Sequence, residues 1–293
     1  MTRASQILCA GAALWDVIGR AGTPLPYGAD VPGRVIRRPG GVALNIALAL
    51  ADLGHAPTLL AAVGTDEAGT ELAGCLAAAG VGIAGLHRHP GATDSYVAIE
   101  DAGGELHAAV ADCACLEAAG QAVLAPLRDG RLQTPWPGPI VADGNLPLPV
   151  LTALLDAAAA MRAHAALVPA SPGKAAALAP LCAGRPIALY LNRIEAERLC
   201  GARFRDSHAA ALALRAQGVT EAIVTDGSAA ATAATRDAVV TLAPPPVGAR
   251  SVTGAGDAFV AAHLAARSGG LAPEPALAAA LDSAARHIEL EPS

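Results

Sequence analysis

The apolar and polar positions of this chain fall into two rhythms. Over most of its length, short unbroken apolar runs give way to longer alanine- and leucine-rich segments that close on glycine. Unbroken runs mark strands buried on both faces, and the segments after them read as helices. The pattern therefore predicts α/β alternation around a mostly parallel sheet. Strands are predicted over residues 6–12, 57–63, 81–86, 139–142, 165–168, 187–191 and 222–224. One helix, over 46–53, is entered through Gly40-Gly41 and stopped by Gly54; another, over 65–79, is capped by Thr65 or Asp66 and ended by Gly80. Further helices are predicted over 153–163, from Asn192 to Gly201, and from near Asp257 to Gly269.

Two stretches break this rhythm. Between Gly19 and Gly40 glycine and proline are dense, and pieces such as Arg34-Val35-Ile36-Arg37 read as half-exposed antiparallel strand. Residues 93–100 and 105–112 flank the turn Asp101-Ala102-Gly103-Gly104 and read as a β-hairpin. Together these pieces are expected to form a small sheet standing off the main domain, a flap that covers a site and excludes water. The chain then divides into an α/β domain over 1–18, 41–88 and 114–293, and a β-sheet lid over 19–40 and 89–113.

At 293 residues the chain is long enough for one large domain with an appendage. The hydrophobic fraction of 53% leans on alanine, with aromatics at 2%. No run of about 20 strongly apolar residues occurs, so no membrane partner is expected. The apolar start over residues 7–11 is too short for a signal-peptide core, and a cytoplasmic location is expected. A net charge of −6, with Lys174 the single lysine, argues against a nucleic-acid partner, so any nucleotide ligand is expected to be free. The 6 cysteines lack zinc spacing and are expected to be reduced thiols.

The densest chemistry lies in Ser251-Val252-Thr253-Gly254-Ala255-Gly256-Asp257. Small residues opening a helix aim unpaired N–H groups at one point, which suits a phosphate. A carboxylate there would repel a resting phosphate. It makes sense if Asp257 takes a proton from a hydroxyl while the amides stabilise a phosphoryl group in transit. The plain alternative is a tight turn with Asp257 as helix N-cap. Asp16, at the carboxyl end of the first strand, can accept hydrogen bonds from sugar hydroxyls or lie solvated in a loop. Gly40 and Gly41 allow close approach to a helix start, where Asn45 offers a donor and an acceptor. Ser95 and Tyr96 lie on the flap, Tyr96 either stacking on a base or packing the hairpin. Asn192 and Glu195 can hold a hydrated magnesium ion through water, or form a capping box. Thr225-Asp226-Gly227 forms a turn able to touch a nucleotide phosphate or ribose.

Gly40-Gly41-x-x-x-Asn45, Asn192-x-x-Glu195, Thr225-x-Gly227 and Gly254-Ala255-Gly256-Asp257, in this order, resemble the ribokinase-like (PfkB) family of carbohydrate and nucleoside kinases over nearly the whole chain. The resemblance implies a three-layer α/β/α sandwich with a mostly parallel central sheet and a small β-sheet lid. It also implies ATP with Mg2+, Asp257 as catalytic base, and the amides of Gly254, Ala255, Gly256 and Asp257 as an anion hole. Several stretches are similar to the pseudouridine kinase branch, among them Tyr27-x-x-Asp30-x-Pro32-Gly33, Thr93-x-Ser95-Tyr96 and Ile140-Val141-Ala142-Asp143-Gly144-Asn145. That likeness implies phosphorylation of the 5′-hydroxyl of pseudouridine. Asp16, Gly40, Gly41 and Asn45 would hold the ribose with help from Asp143, and Ser95, Tyr96 and Asp112 would address the uracil. Asn192, Thr225 and Gly227 would serve the nucleotide, and Glu195 the metal through water. Three positions depart from the pattern. Ser251 replaces an Asp that helps bind potassium in relatives, which weakens the expectation of a monovalent cation. Ala230 and Val168 replace a glycine and a polar residue common there. A sister kinase for ribose, fructose, adenosine or uridine is the alternative, and a non-catalytic nucleoside- or sugar-binding regulator another. A homodimer through the exposed lid edge is expected.

Overall fold

The computed structural model describes residues 5–28, 30–248 and 253–290. In chain order the first elements are β1 (Gln6–Ala10), β2 (Leu14–Ala21), β3 (Gly33–Gly40), α1 (Val42–Asp52), β4 (Ala56–Gly64), α2 (Glu67–Ala78) and β5 (Leu86–His89). Next come β6 (Ser95–Glu100), β7 (Leu106–Asp112), α3 (Ala114–Ala119), a 3₁₀ helix (Gly120–Leu127), β8 (Ile140–Asp143), α4 (Leu148–Met161) and β9 (Ala165–Val168). The short helices α5 (Pro172–Ala175) and α6 (Ala179–Cys182) precede β10 (Ile187–Asn192), α7 (Arg193–Cys200), α8 (Ser207–Ala216) and β11 (Glu221–Asp226). The chain closes with β12 (Ala229–Ala234), β13 (Val239–Leu242), α9 (Ala255–Ser268) and α10 (Pro273–Leu290).

β1 shows why the body is a sandwich. Ile7 and Cys9 enter one apolar layer, Leu8 and Ala10 the other, and all four are fully buried. A strand with no polar face must be covered on both sides. β1 accordingly lies inside a nine-stranded sheet ordered β13-β12-β11-β10-β9-β8-β1-β4-β5. The strands from β11 to β5 run parallel, and β12 and β13 add an antiparallel edge. One face is covered by Leu44 and Leu50 of α1, Leu72 of α2, Phe259 of α9 and Leu277 of α10. The other is covered by Leu116 of α3, Leu151 and Leu154 of α4, and Leu214 of α8. Each such side chain contributes about 1.5–3 kcal/mol. From β1 the chain runs outward through β4 and β5, then returns to β8 and runs the other way. Ligands of open α/β sheets settle beyond the carboxyl ends of the strands at such a reversal.

A second sheet of four strands, ordered β3-β2-β6-β7, stands apart as the lid. β2 pairs antiparallel with β3 and parallel with β6, and β6 pairs antiparallel with β7. β7 is exposed at every residue. The lid is fixed to the body by Trp15, whose Nε1 donates to the Ala68 carbonyl at 3.0 Å and whose ring carries the Arg37 guanidinium at 3.6 Å.

Three local expectations differ from the structure. β2 begins at Leu14, so Asp16 belongs to a lid strand and not to a loop after β1. The strand expected over 81–86 is reduced to one bridge between Gly82 and Thr58, with β5 beginning at Leu86. Gly82 and Gly85 supply no side chain to pack there. α4 begins at Leu148, not 153, because Pro147 at its N-cap and Pro149 in its first turn favour initiation.

Candidate active site

α9 starts at Ala255, with Gly254 as N-cap at φ 83°. That conformation favours glycine, and a Cβ on Gly254 would also come within 2.8 Å of His287 Nε2. Asp257 is therefore not the cap but a first-turn residue. The first intrahelical bond runs from the Ala258 amide to the Gly254 carbonyl. The amides of Ala255, Gly256 and Asp257 are then the orphan donors of the helix start. Beside Gly256 there is open space, with no atom within 4 Å of where a Cβ would stand. The preceding Ser251 and Val252 lie outside the described residues.

The Asp257 carboxylate accepts a hydrogen bond from Asn45 Nδ2 at 2.9 Å, joining two motifs far apart in sequence. Burial pushes its pKa from 3.8 up to about 7; Asn45 opposes the rise, while Asp143, Asp16 and Glu195 add to it. A carboxylate poised near neutrality suits a general base. Asn45 itself is placed by Gly41, the N-cap of α1 at φ 103°. A Cβ on Gly41 would fall 2.5 Å from the Ala12 carbonyl oxygen, so the chain turns into the helix with no side chain in the way.

Behind Asp257 lies a cavity of about 170 Å³, bordered by Gly256, Asn192, Glu195 and Thr225. Asn192 and Glu195 form a full capping box: Asn192 Oδ1 accepts from the Glu195 amide, and Glu195 Oε2 from the Asn192 amide, both at 2.9 Å. The capping reading of this pair is thus observed, and both residues also border the cavity. Burial raises the Glu195 pKa, with the Asn192 amide opposing. Among the described residues no group of three or more His, Cys, Asp or Glu is arranged to hold a metal. Glu195 and Asn192 are the cavity-lining side chains whose oxygens could face a divalent cation through its water shell. Thr225 ends near the cavity, its hydroxyl 3.5 Å from the Leu191 carbonyl. Gly227, at φ 58°, makes the turn from β11 to β12, and Asp226 between them is held by Arg193 Nε at 2.9 Å.

On the lid side, Arg38, Asp16 and Tyr96 share one row across β3, β2 and β6. Asp16 faces Gly40, where a Cβ would strike its carboxylate. Burial raises the Asp16 pKa, with Arg38 opposing. Burial likewise raises the Tyr96 phenol, followed by Asp16 and Glu100, and its ring is half-buried against the core. The expected group Ser95, Tyr96 and Asp112 does not converge. Ser95 shares its row with Trp15 and Asp112, and strand alternation turns it to the face opposite Tyr96. Asp112 instead accepts from the Ala114 amide at the start of α3.

Asp143 also needs correction. It was expected to help hold ribose, but it is 0% exposed and its carboxylate accepts from the amides of Ala12, Ala43 and Asn145 at 3.0, 2.9 and 2.8 Å. Buried and bonded to these three amides, it ties the exit of β1 to the start of α1. Asp94 does the same for the lid: its carboxylate accepts from Cys115 and Leu116, and its carbonyl from the Trp15 amide. The sequence reading passed over Lys174, whose ammonium donates to Asn145 Oδ1. Its being the single lysine of the chain was the available signal.

The model of the pfkB family carbohydrate kinases matches residues 4–290. The chain belongs to the PfkB family. This PfkB kinase is 36% identical to the pseudouridine kinase of Escherichia coli (strain K12) over 113 residues, a stretch covering 38% of this chain and 36% of that enzyme. A carbohydrate kinase from Agrobacterium tumefaciens superposes with a TM-score of 0.81 at 30% identity, over 96% of this chain and 90% of the other. Arabidopsis thaliana ribokinase, solved with ribose and ATP, has the same fold with a TM-score of 0.80 at 17% identity, over 99% and 95% of the two chains. This PfkB kinase is accordingly a phosphotransferase with an alcohol acceptor, built on the ribokinase-like fold with a separate four-stranded lid. Among its described residues no helix is long and apolar enough to cross a membrane.

Proposed function

We propose that this kinase transfers the γ-phosphoryl group of ATP to the 5′-hydroxyl of pseudouridine, giving pseudouridine 5′-phosphate and ADP. The observation that carries the reading is Asp257, held by Asn45 at the open N-terminus of α9 with its pKa raised to about 7. Asp257 takes the hydroxyl proton as the alcohol oxygen bonds to the γ-phosphorus, and the bond to the β-phosphate oxygen breaks. The amides of Ala255, Gly256 and Asp257 stabilise the charge on the transferring group without reorganising. Glu195 and Asn192 would hold a magnesium ion through water, and the ion would neutralise donor phosphate charge. Thr225 and Gly227 border the nucleotide.

On the acceptor side Asp16, Gly40, Gly41 and Asn45 address ribose hydroxyls, and Tyr96 covers the base. The partial likeness to a pseudouridine kinase supports this substrate. The ribokinase-like fold favours a free pentose as second reading. A homodimer through the lid fits its exposed apolar side chains, with Val35 and Val110 exposed at 75% and 69%. The test is incubation with ATP and, separately, pseudouridine, uridine, adenosine, ribose and fructose, with ADP release as readout. Turnover led by pseudouridine is expected; a higher kcat/KM for ribose would transfer the assignment to the second reading.

A further inference from the structure

The element that carries Asp257 and the one that leads to Asn192 and Glu195 meet in a buried polar contact that the chemistry above does not use. The Tyr190 phenol oxygen on β10 lies 2.9 Å from His263 Nδ1 on α9. The side chains are 3% and 2% exposed, and their rings meet edge-on at 5.5 Å. His263 also lies parallel to Phe259 at 6.2 Å. Tyr190 and Phe259 border the same cavity as Asp257, Asn192 and Glu195. Burial pushes the His263 pKa down to about 4, so the ring is neutral.

The rest of the α9 interface around this contact is apolar, with Ala258, Phe259, Val260, Ala261, Ala262, Leu264 and Ala265 buried along it. Apolar burial is non-directional, whereas a buried hydrogen bond is directional and fixes where its two ends meet. The bond is kept at a cost, because His263 Nε2 is buried without a hydrogen-bond partner among the described residues. A leucine would fill the space without that penalty.

We infer that the Tyr190–His263 hydrogen bond fixes the axial position of α9 against β10, and so sets the separation between Asp257 and the Asn192–Glu195 corner. Both are positioning residues, since neither touches the reacting atoms. The catalytic consequence rests on the kinase reading; the structural one does not.

The test is the double variant Tyr190→Phe/His263→Leu. It removes both partners and leaves no orphaned group, so folding is retained while the bond is lost. Its crystal structure is expected to show α9 displaced along its axis and the Asn45–Asp257 bond broken. Its kcat is expected to fall on the order of ten- to a hundredfold, as for a misplaced reacting group, with both KM values within about twofold of the parent. His263→Gln, which keeps an acceptor facing the phenol, is expected to retain parental kcat. Tyr190→Phe alone, read the same way, replaces the double variant if that fails to fold. An unmoved α9 overturns the inference whatever the activity, and so does a parental kcat with α9 displaced. A parent that phosphorylates no acceptor counts against the proposed function instead, and the crystal structure still decides the role of the bond.

Discussion

β1 and β7 are strands of similar length with opposite surroundings. β1 has four of its five residues fully buried, between two helical layers. β7 is exposed throughout and pairs with β6 at the edge of the lid sheet. The body is thus specified by burial, which tolerates little change, and the lid by backbone pairing and a few anchors such as Trp15, which tolerate much. Asp257 and its partners sit on the body, where packing fixes geometry. Tyr96 and Asp16 sit on the lid, on strands held mainly by backbone pairing. On the proposed reading, the chemistry and the choice of acceptor fall to parts with different rules.

The largest expected effect attacks the body's half of this comparison. Asp257→Asn should lower kcat on the order of 10²–10⁴-fold with little change in nucleoside affinity, as for loss of a general base. Near-parental turnover would break the assignment. The same variant carries a stability signature. Because the folded-state pKa, about 7, lies above the ordinary 3.8, the parent binds an extra proton when folded. The contribution is fully present below the ordinary value and is lost as pH rises through about 7. The Tm of Asp257→Asn relative to the parent should therefore be higher at pH 8 than at pH 5.

A second measurement sets the two regions side by side. Leu50→Ala, in the body, should cost about 2–5 kcal/mol in denaturant unfolding, against about 0.5 kcal/mol or less for Val110→Ala on the lid. Equal losses would mean that the lid is as tightly specified as the core. The smallest effect concerns selection. Tyr96→Ala should raise KM for the nucleoside by about tenfold, roughly 1.4 kcal/mol, and leave KM for ATP unchanged. A loss of stability with no change in KM would make Tyr96 a packing residue only.

The sequence was most readable where burial decides. The expected strand over 165–168 coincides with β9, and 139–142 is one residue from β8 (Ile140–Asp143), because strands covered on both faces leave unbroken apolar runs. The motif spacing singled out Asn45 and Asp257, but not their hydrogen bond, since no local pattern encodes a contact between residues so far apart. Asp143 misled for a related reason. A carboxylate at a strand end looks alike whether it meets a ligand or two arriving backbone segments, and only the tertiary position of α1 shows which. β2 was missed because residues 14–21 carry no clean alternation. The Ser95–Tyr96–Asp112 group failed on strand parity, which puts neighbours in sequence on opposite faces.

The tethers of the lid have a mechanical consequence. Four chain crossings join it to the body, at residues 11–13, 40–42, 90–94 and 113. Asp143 binds the amides of Ala12 and Ala43 across two of them, while Asp94 ties Trp15 to Cys115 and Leu116 across the others. Crossings gathered on two buried carboxylates work like the pins of a door: they hold the lid's edge in register with the body at one seam. β3 passes into α1 through Gly41 alone, so the door and the helix bearing Asn45 share a pin.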